Sequence, residues 1–228
     1  PQLPPPDQAL LQALRQQAAW RYPHRTDIPA KLSVSELSHQ ERFDFTGVPA
    51  FLAGEGLSPA QRGTALHKVM QFADYQLARN NIAAEADRLA LARFLSKEER
   101  ESLDLPRLER LFSGPLMGRI LQSPQLLREV KFFYELPPGE YLGEGSSGMD
   151  DPIILQGIAD CVFLEGDEAV LVDYKTDRVQ TGSQLAERYC HQLALYREAL
   201  ENGLGKRVKE TILYSVYLGE EVRLDKTP

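Results

Sequence analysis

The sequence predicts an α/β chain of the α+β kind: a mixed sheet flanked by helices, with helical additions at the N-terminus and in the middle. Three observations carry that prediction. Residues 153–176 read as two strands rich in Val, Ile, Leu and Phe around the turn Glu165-Gly166-Asp167-Glu168. A helical pattern over 184–201 follows them, and alternating runs at 127–136 and 210–218 supply further strands. Strand, hairpin, helix and strand in that order give a sheet with helices packed on it.

The hairpin sets the chemistry. A Gly-X pair at its centre suits a two-residue turn, because Gly accepts the positive φ such turns need. Centring the turn between Gly166 and Asp167 places Asp160 opposite Asp173, with Cβ atoms roughly 5 Å apart. Alternation brings Lys175 out on the Asp173 face and sends Tyr174 to the other. Two opposed carboxylates destabilise a sheet unless a cation lies between them. A hard divalent ion such as Mg²⁺ removes the conflict, since it prefers carboxylate and carbonyl oxygens. The alternative is an exposed polar face on which Lys175 bridges both acids.

Composition bounds the rest. A chain of 228 residues buries a sizeable core as one domain. Its net charge of -7 argues against binding nucleic acid by bulk attraction, while leaving room for a local basic groove or a metal-bridged phosphate. Of the two cysteines, Cys161 alternates away from Asp160 and is expected in the core; neither a disulfide framework nor a cysteine metal cluster is indicated. No apolar run reaches the length of a membrane span and no secretory signal is visible, so the cytoplasm is the expected compartment. The opening PQLPPP is linker-like and lacks Met, so residues 1–30 are expected to be a linker and helix joined to an upstream region. No Gly-x-x-x-x-Gly-Lys-Ser/Thr phosphate loop occurs, and GLGKR at Gly203 is read as a helix closure.

In chain order, residues 7–20 carry Leu10, Leu11, Leu14 and Ala18 at helical spacing, and a loop with two prolines follows. Ser33 and Glu36 form a capping-box pair, and 46–58 is irregular. Over 59–73, Leu66, Val69, Met70 and Ala73 make an apolar helical stripe bordered by His67, with Gly63 one turn earlier. Helices are expected over 82–95, after the Ser96/Glu99 capping box, and at 106–112 and 115–121. The stretch 82–124 is thus a helical insertion. In the strand 127–136, alternation groups Glu129, Lys131, Phe133 and Glu135 on one side. Residues 137–152, rich in Gly and Ser, connect to the hairpin. On the later helix, Leu185, Tyr189, Gln192 and Tyr196 follow one stripe, and Gly203 closes it. Gln192 interrupts that apolar line and needs a partner, either backbone or a ligand phosphate. Residues 222–224 pair back after a turn at Gly219.

His67 in GTALH, Asp160 in QGIAD, Asp173 and Lys175 in VDYKTDRV, and Gln192 with Tyr196 in QLALY together resemble the RecB-like branch of the PD-(D/E)XK nucleases. The first acid stands in Gly-Ile-Ala-Asp rather than Pro-Asp, as in that branch. From KLSVSEL onward the wording is most similar to the C-terminal domain of the AddA family of helicase–nuclease proteins. The resemblance implies a restriction-endonuclease-like nuclease domain over 31–228 that cleaves DNA, exonucleolytically on single strands, during double-strand-break processing. It further implies Mg²⁺, with Mn²⁺ as a substitute, on His67, Asp160, Asp173 and the Tyr174 carbonyl. On the same resemblance, Lys175 is expected to orient or deprotonate the attacking water and Gln192 and Tyr196 to position the strand, with Glu129 as a candidate supporting acid. The implied partners are DNA, an upstream helicase region of the same polypeptide and an AddB-like second subunit. Two competing readings are a catalytically silent module for binding DNA or a second protein chain, and a structural metal domain; the latter leaves Lys175 and the Gln192/Tyr196 stripe without a role.

Overall fold

The computed structural model describes residues 7–19, 30–34, 57–137 and 152–224. It divides into two compact units, one of Pro1–Leu32 with Glu135–Ile154, the other of Ser33–Tyr134 with Leu155–Pro228. In the smaller unit, helix α1 (Gln8–Ala19) begins where the Asp7 carboxylate accepts the Ala9 amide at 2.9 Å. Strand β1 (Lys31–Ser33) follows, and the Ala30 carbonyl just before it accepts the Ile154 amide.

The larger unit opens with helices α2 (Pro59–Phe72), α3 (Tyr75–Asn80), α4 (Ile82–Leu91), α5 (Lys97–Ser102), α6 (Leu105–Ser113) and α7 (Pro115–Gln122). Strands β2 (Leu126–Leu136), β3 (Ile153–Glu165) and β4 (Glu168–Lys175), helix α8 (Gly182–Leu204), and strands β5 (Val208–Ser215) and β6 (Glu220–Leu224) complete it. In the larger unit the sheet order is β3-β4-β5-β6, with β2 also pairing β3. β4 and β5 run parallel with α8 between them in sequence, while β3–β4 and β5–β6 are antiparallel. This is the mixed sheet with flanking helices that the sequence predicts.

Capping explains most helix boundaries. Ser58 and Gln61 make a reciprocal capping box at the start of α2, and Ser96 with Glu99 does the same for α5. Asp74, Asn81 and Asp104 cap α3, α4 and α6. Three expectations shift. α4 ends at Leu91 rather than running to 95, because Arg93 turns into the left-handed region at φ 64° and the Phe94 amide returns to the Leu89 carbonyl. The short α3 is an additional element, signalled only by its Asp74 cap. α8 passes through Gly203 and closes at Gly205, whose φ of 62° suits a residue without Cβ. Lys31–Ser33 is a strand and Val34, directly after Ser33, is helical, in keeping with a helix start at Ser33; Glu36 of the expected capping box lies outside the described residues, as do most of the 46–58 and 137–152 segments.

The apolar stripe of α2 is buried as its spacing requires: Leu66, Val69 and Met70 pack with Phe112 of α6, Met117 of α7, and Cys161, Val172 and Tyr174 of the sheet. Each such buried side chain contributes about 1.5–3 kcal/mol. Cys161 is fully buried, and burial pushes its thiol up to about 12. It is therefore an inert packing group.

At the hairpin end, the sheet is tied to α7 by ions. Arg119 reaches Glu165 at 2.8 Å and Glu210 at 2.5 Å, and Lys209 reaches Glu165 at 2.8 Å. The hydrogen bond from Arg119, then that from Lys209, holds the Glu165 carboxyl down at about 2. Because the folded value is depressed, this support is present above the unfolded carboxylate range and fades as pH falls through about 2. With Glu165 29% and Arg119 26% exposed, solvent screening trims the worth of the pair, and Glu165→Gln is expected to cost about 1–2 kcal/mol at neutral pH. Urea titrations should show the gap between variant and wild type closing as the pH drops toward about 2.

Candidate active site

The hairpin keeps its predicted register from Glu165↔Glu168, across a turn with Gly166 at φ 65°, to Cys161↔Val172. Asp160 and Asp173 come next on the two strands, and there the ladder parts. The Tyr174 amide donates to the Asp160 carboxylate at 2.8 Å. β4 meanwhile stays paired with β5 through Asp173↔Leu213 and Lys175↔Ser215. Backbone pairing between β3 and β4 thus ends at Cys161↔Val172, just before the two acids, and a bond to the Asp160 side chain follows it.

Two further elements, α2 and β2, converge on this opening. His67, on the rim of the buried α2 stripe, places Nδ1 3.2 Å from Asp160 Oδ1. Glu129 of β2 lies 4.0 Å from the same nitrogen. Its backbone is left-handed, φ 51°, a conformation that costs a non-glycine residue on the order of 1 kcal/mol or more. Here the expected alternation fails. Lys131, Phe133 and Glu135 stay exposed, whereas Glu129 is half-buried and turned toward His67. The preceding Arg128 anchors β2 to the end of α2, donating to the Ala73 carbonyl at 2.7 Å and lying over the Tyr75 ring at 4.9 Å. His67, Glu129 and Asp160 each offer a ligand atom, all within 4.8 Å of one another.

Asp173 and Lys175 form the second half of the site. Asp173 is 2% exposed, and its Oδ2 lies 2.7 Å from the Lys175 ammonium. Lys175 is the partner of that oxygen, which is otherwise buried without a donor. Burial, reinforced by the Asp160 charge, raises the Asp173 carboxyl despite Lys175. Burial alone would lower Lys175; Asp173 and Asp160 outweigh it and hold the ammonium charged. His67 follows the same logic: burial lowers it most, but the Asp160 bond and charge, with Asp173, give a net rise.

The α8 stripe closes the other side. Lys175 Nζ sits 4.4 Å from the centre of the Tyr189 ring, whose hydroxyl donates to Asp177 at 3.0 Å, and Arg188 pairs with Asp177 at 2.6 Å. Gln192 and Tyr196 are both buried. Tyr196 packs edge-on against Phe132 at 5.0 Å, and burial, with Asp173 adding, pushes its phenol up to about 12 while Gln192 hydrogen-bonds to it. The residues that the sequence singles out as candidates for catalysis, metal and strand binding are therefore in one neighbourhood. Tyr189 joins them as the ring under Lys175, which its place on the stripe signalled without revealing its function.

The donor set suits a divalent cation. An imidazole nitrogen and carboxylate oxygens are ligands for Mg²⁺ or Mn²⁺, and the buried Asp173 Oδ2 is an acceptor with capacity to spare. Among the described residues, no helix is long and apolar enough to cross a membrane.

Over residues 37–225 the chain matches the PD-(D/E)XK nuclease superfamily. It is 36% identical to an ATP-dependent helicase/nuclease protein of Ruminiclostridium cellulolyticum, across 90% of this chain and 18% of that protein. The proteins of the same name from Acetivibrio thermocellus and Alkaliphilus oremlandii are 36% and 34% identical, over 88% and 90% of this chain and 18% of each of theirs. The chain thus spans under a fifth of the length of the curated relatives it matches. Parted hairpin acids, an adjoining lysine and a family match that spans all of them lead to one assignment: the chain belongs to the PD-(D/E)XK nuclease superfamily.

Proposed function

We propose that this chain hydrolyses phosphodiester bonds in DNA, exonucleolytically on single strands, with Mg²⁺ as its metal and Mn²⁺ as a substitute. The observation that carries the reading is the opening of the β3–β4 ladder at Asp160 and Asp173, beside a lysine whose charge both acids sustain. His67, Asp160, Asp173 and the Tyr174 carbonyl are the proposed metal ligands; Glu129, whose carboxylate lies within 4.8 Å of the His67 and Asp160 ligand atoms, supports reading it as a further one. A divalent ion bound there supplies positive charge against the phosphate and acidifies water.

The chain's own groups divide the remaining work. Lys175, kept protonated and seated between Asp173 and Tyr189, orients the attacking water and stabilises charge on the phosphoryl oxygens; a group held in its charged form is poorly suited to remove a proton. The Gln192 amide and Tyr196 hydroxyl position the strand. By likeness to the helicase/nuclease proteins named above, we read residues 31–228 as the nuclease module of a helicase–nuclease that processes double-strand breaks in the cytoplasm, fed by an upstream helicase region and assembled with an AddB-like second subunit.

The test is digestion of single-stranded oligonucleotides labelled at either end. Cleavage is expected with Mg²⁺, should stop on chelation and should be lost in Asp173→Asn, with the label that shortens first giving polarity. Cleavage that survives chelation contradicts the reading. DNA binding without any cleavage would favour the silent-module alternative.

A further inference from the structure

Beside the acidic centre the larger unit carries a cleft of about 710 Å³, a size that encloses a ligand on the scale of a nucleotide. Its walls are the first turns of α2, the N-terminal turn of α6, and the segments that leave the C-terminal ends of β4 and β5. Ligands in open α/β sheets sit beyond the carboxyl ends of parallel strands, and β4 and β5 are the parallel pair here. The cleft adjoins the proposed active site along the chain. Thr176 in its wall directly follows Lys175, and a Cβ on Gly63 would lie 3.4 Å from Thr176 Oγ1. Ala60, Gly63 and His67, spaced by three and four, line one face of α2 from the cleft to the acids.

Its chemistry departs from that of the chain as a whole. Against a net charge of -7, the cleft presents Arg62, Arg107 and Arg178. The acids in its wall are already paired, Asp104 with Arg107 at 2.8 Å and Asp177 with Arg188 at 2.6 Å. The Arg107 guanidinium lies 4.4 Å from the centre of the Tyr217 ring. Asp104 also caps α6, so this stacked pair is held by an element end rather than by a loose loop. Aromatic rings and arginine planes are the surfaces on which unpaired bases stack without sequence preference.

We propose that this cleft seats the DNA strand adjoining the scissile phosphate, its bases stacking on the Arg107–Tyr217 pair and its phosphates meeting Arg62 and Arg178. The inference rests on the nuclease reading above. It is tested by anisotropy of a labelled single-stranded oligonucleotide, in Ca²⁺ to support binding without rapid hydrolysis. Arg62→Glu and Arg178→Glu, both exposed, should each weaken binding about tenfold and flatten the salt dependence by about 0.7 in slope. Tyr217→Ala should weaken it about tenfold as well, with Tyr217→Phe restoring the affinity. Arg207→Glu, the same charge change just before the opposite end of β5, should bind like wild type. Cleft variants that bind like wild type overturn the proposal, as does an equal loss in Arg207→Glu, which would make net charge the cause. A wild-type protein that neither binds nor cleaves single-stranded DNA removes the nuclease reading and this proposal together, a result distinct from selective indifference to the cleft.

Discussion

Asp160→Ala is expected to abolish the stabilisation that Mg²⁺ or Mn²⁺ gives the wild type and to reduce cleavage by about a hundredfold to a thousandfold. A ligand present at a hundred times its Kd stabilises by about 2.7 kcal/mol, which for a chain of this size is a melting shift of about 5–10 °C. Asp160 has this leverage because it meets two constraints at once. One oxygen faces His67 at 3.2 Å, and the other accepts the Tyr174 amide at 2.8 Å where the hairpin ladder ends. Asp160→Asn separates the two roles. Its amide oxygen keeps the Tyr174 bond and hence the local backbone, while the charge that holds a cation is gone. Both variants should therefore lose the metal-induced shift, and Asp160→Asn should retain more of the metal-free stability. An undiminished metal response in either variant would place the ion elsewhere.

Lys175→Ala should cut cleavage by roughly a hundredfold or more while leaving metal binding largely in place. It should also expose the cost of the buried acid. Asp173 is 2% exposed with Lys175 as its ion-pair partner, and removing one member of a buried pair costs about 3–5 kcal/mol unless the survivor neutralises. The Asp173 carboxyl is already raised, by burial first, and loses the opposing influence of Lys175 in the variant. A carboxyl raised in the folded state burdens stability as pH climbs through its folded value and not below the unfolded one. The variant should thus approach wild type near about pH 4 and fall behind toward about pH 8, and Mg²⁺ should narrow that gap. Denaturant titrations across that range check the sign. Metal affinity and cleavage vanishing together would instead make Lys175 a counter-ion for the acids.

Much of this site was legible because its parts obey short-range rules. The Glu-Gly-Asp-Glu turn fixes the hairpin register by local geometry alone, and that register runs as expected to Cys161↔Val172. The i, i+3, i+4 stripe of α2 locates its buried face and hence His67 on the rim. What escaped depends on contacts distant in sequence. The parting of β3 from β4 follows from β5 holding β4 while Asp160 takes the Tyr174 amide, and neither relation has a local signature. Glu129 turns inward through a positive φ that period-two alternation cannot anticipate, on a strand tethered through Arg128 to a helix end 55 residues away. The Arg107–Tyr217 stack likewise joins the helical region to the segment after β5, which no pattern within either could reveal. The Gly203 and Gly205 choice at the end of α8 was a local ambiguity of a different sort, since either glycine could supply the left-handed residue and only Gly205 does.

α2, β2, β3 and β4 are expected to build a single divalent-metal centre together. Anomalous scattering from crystals soaked in Mn²⁺ tests it most directly. The expected result is a peak bounded by His67 Nδ1 and the carboxylates of Glu129 and Asp160, with Asp173 on its border and Lys175 beside it. No peak at saturating Mn²⁺, or a peak remote from Asp160, would contradict it.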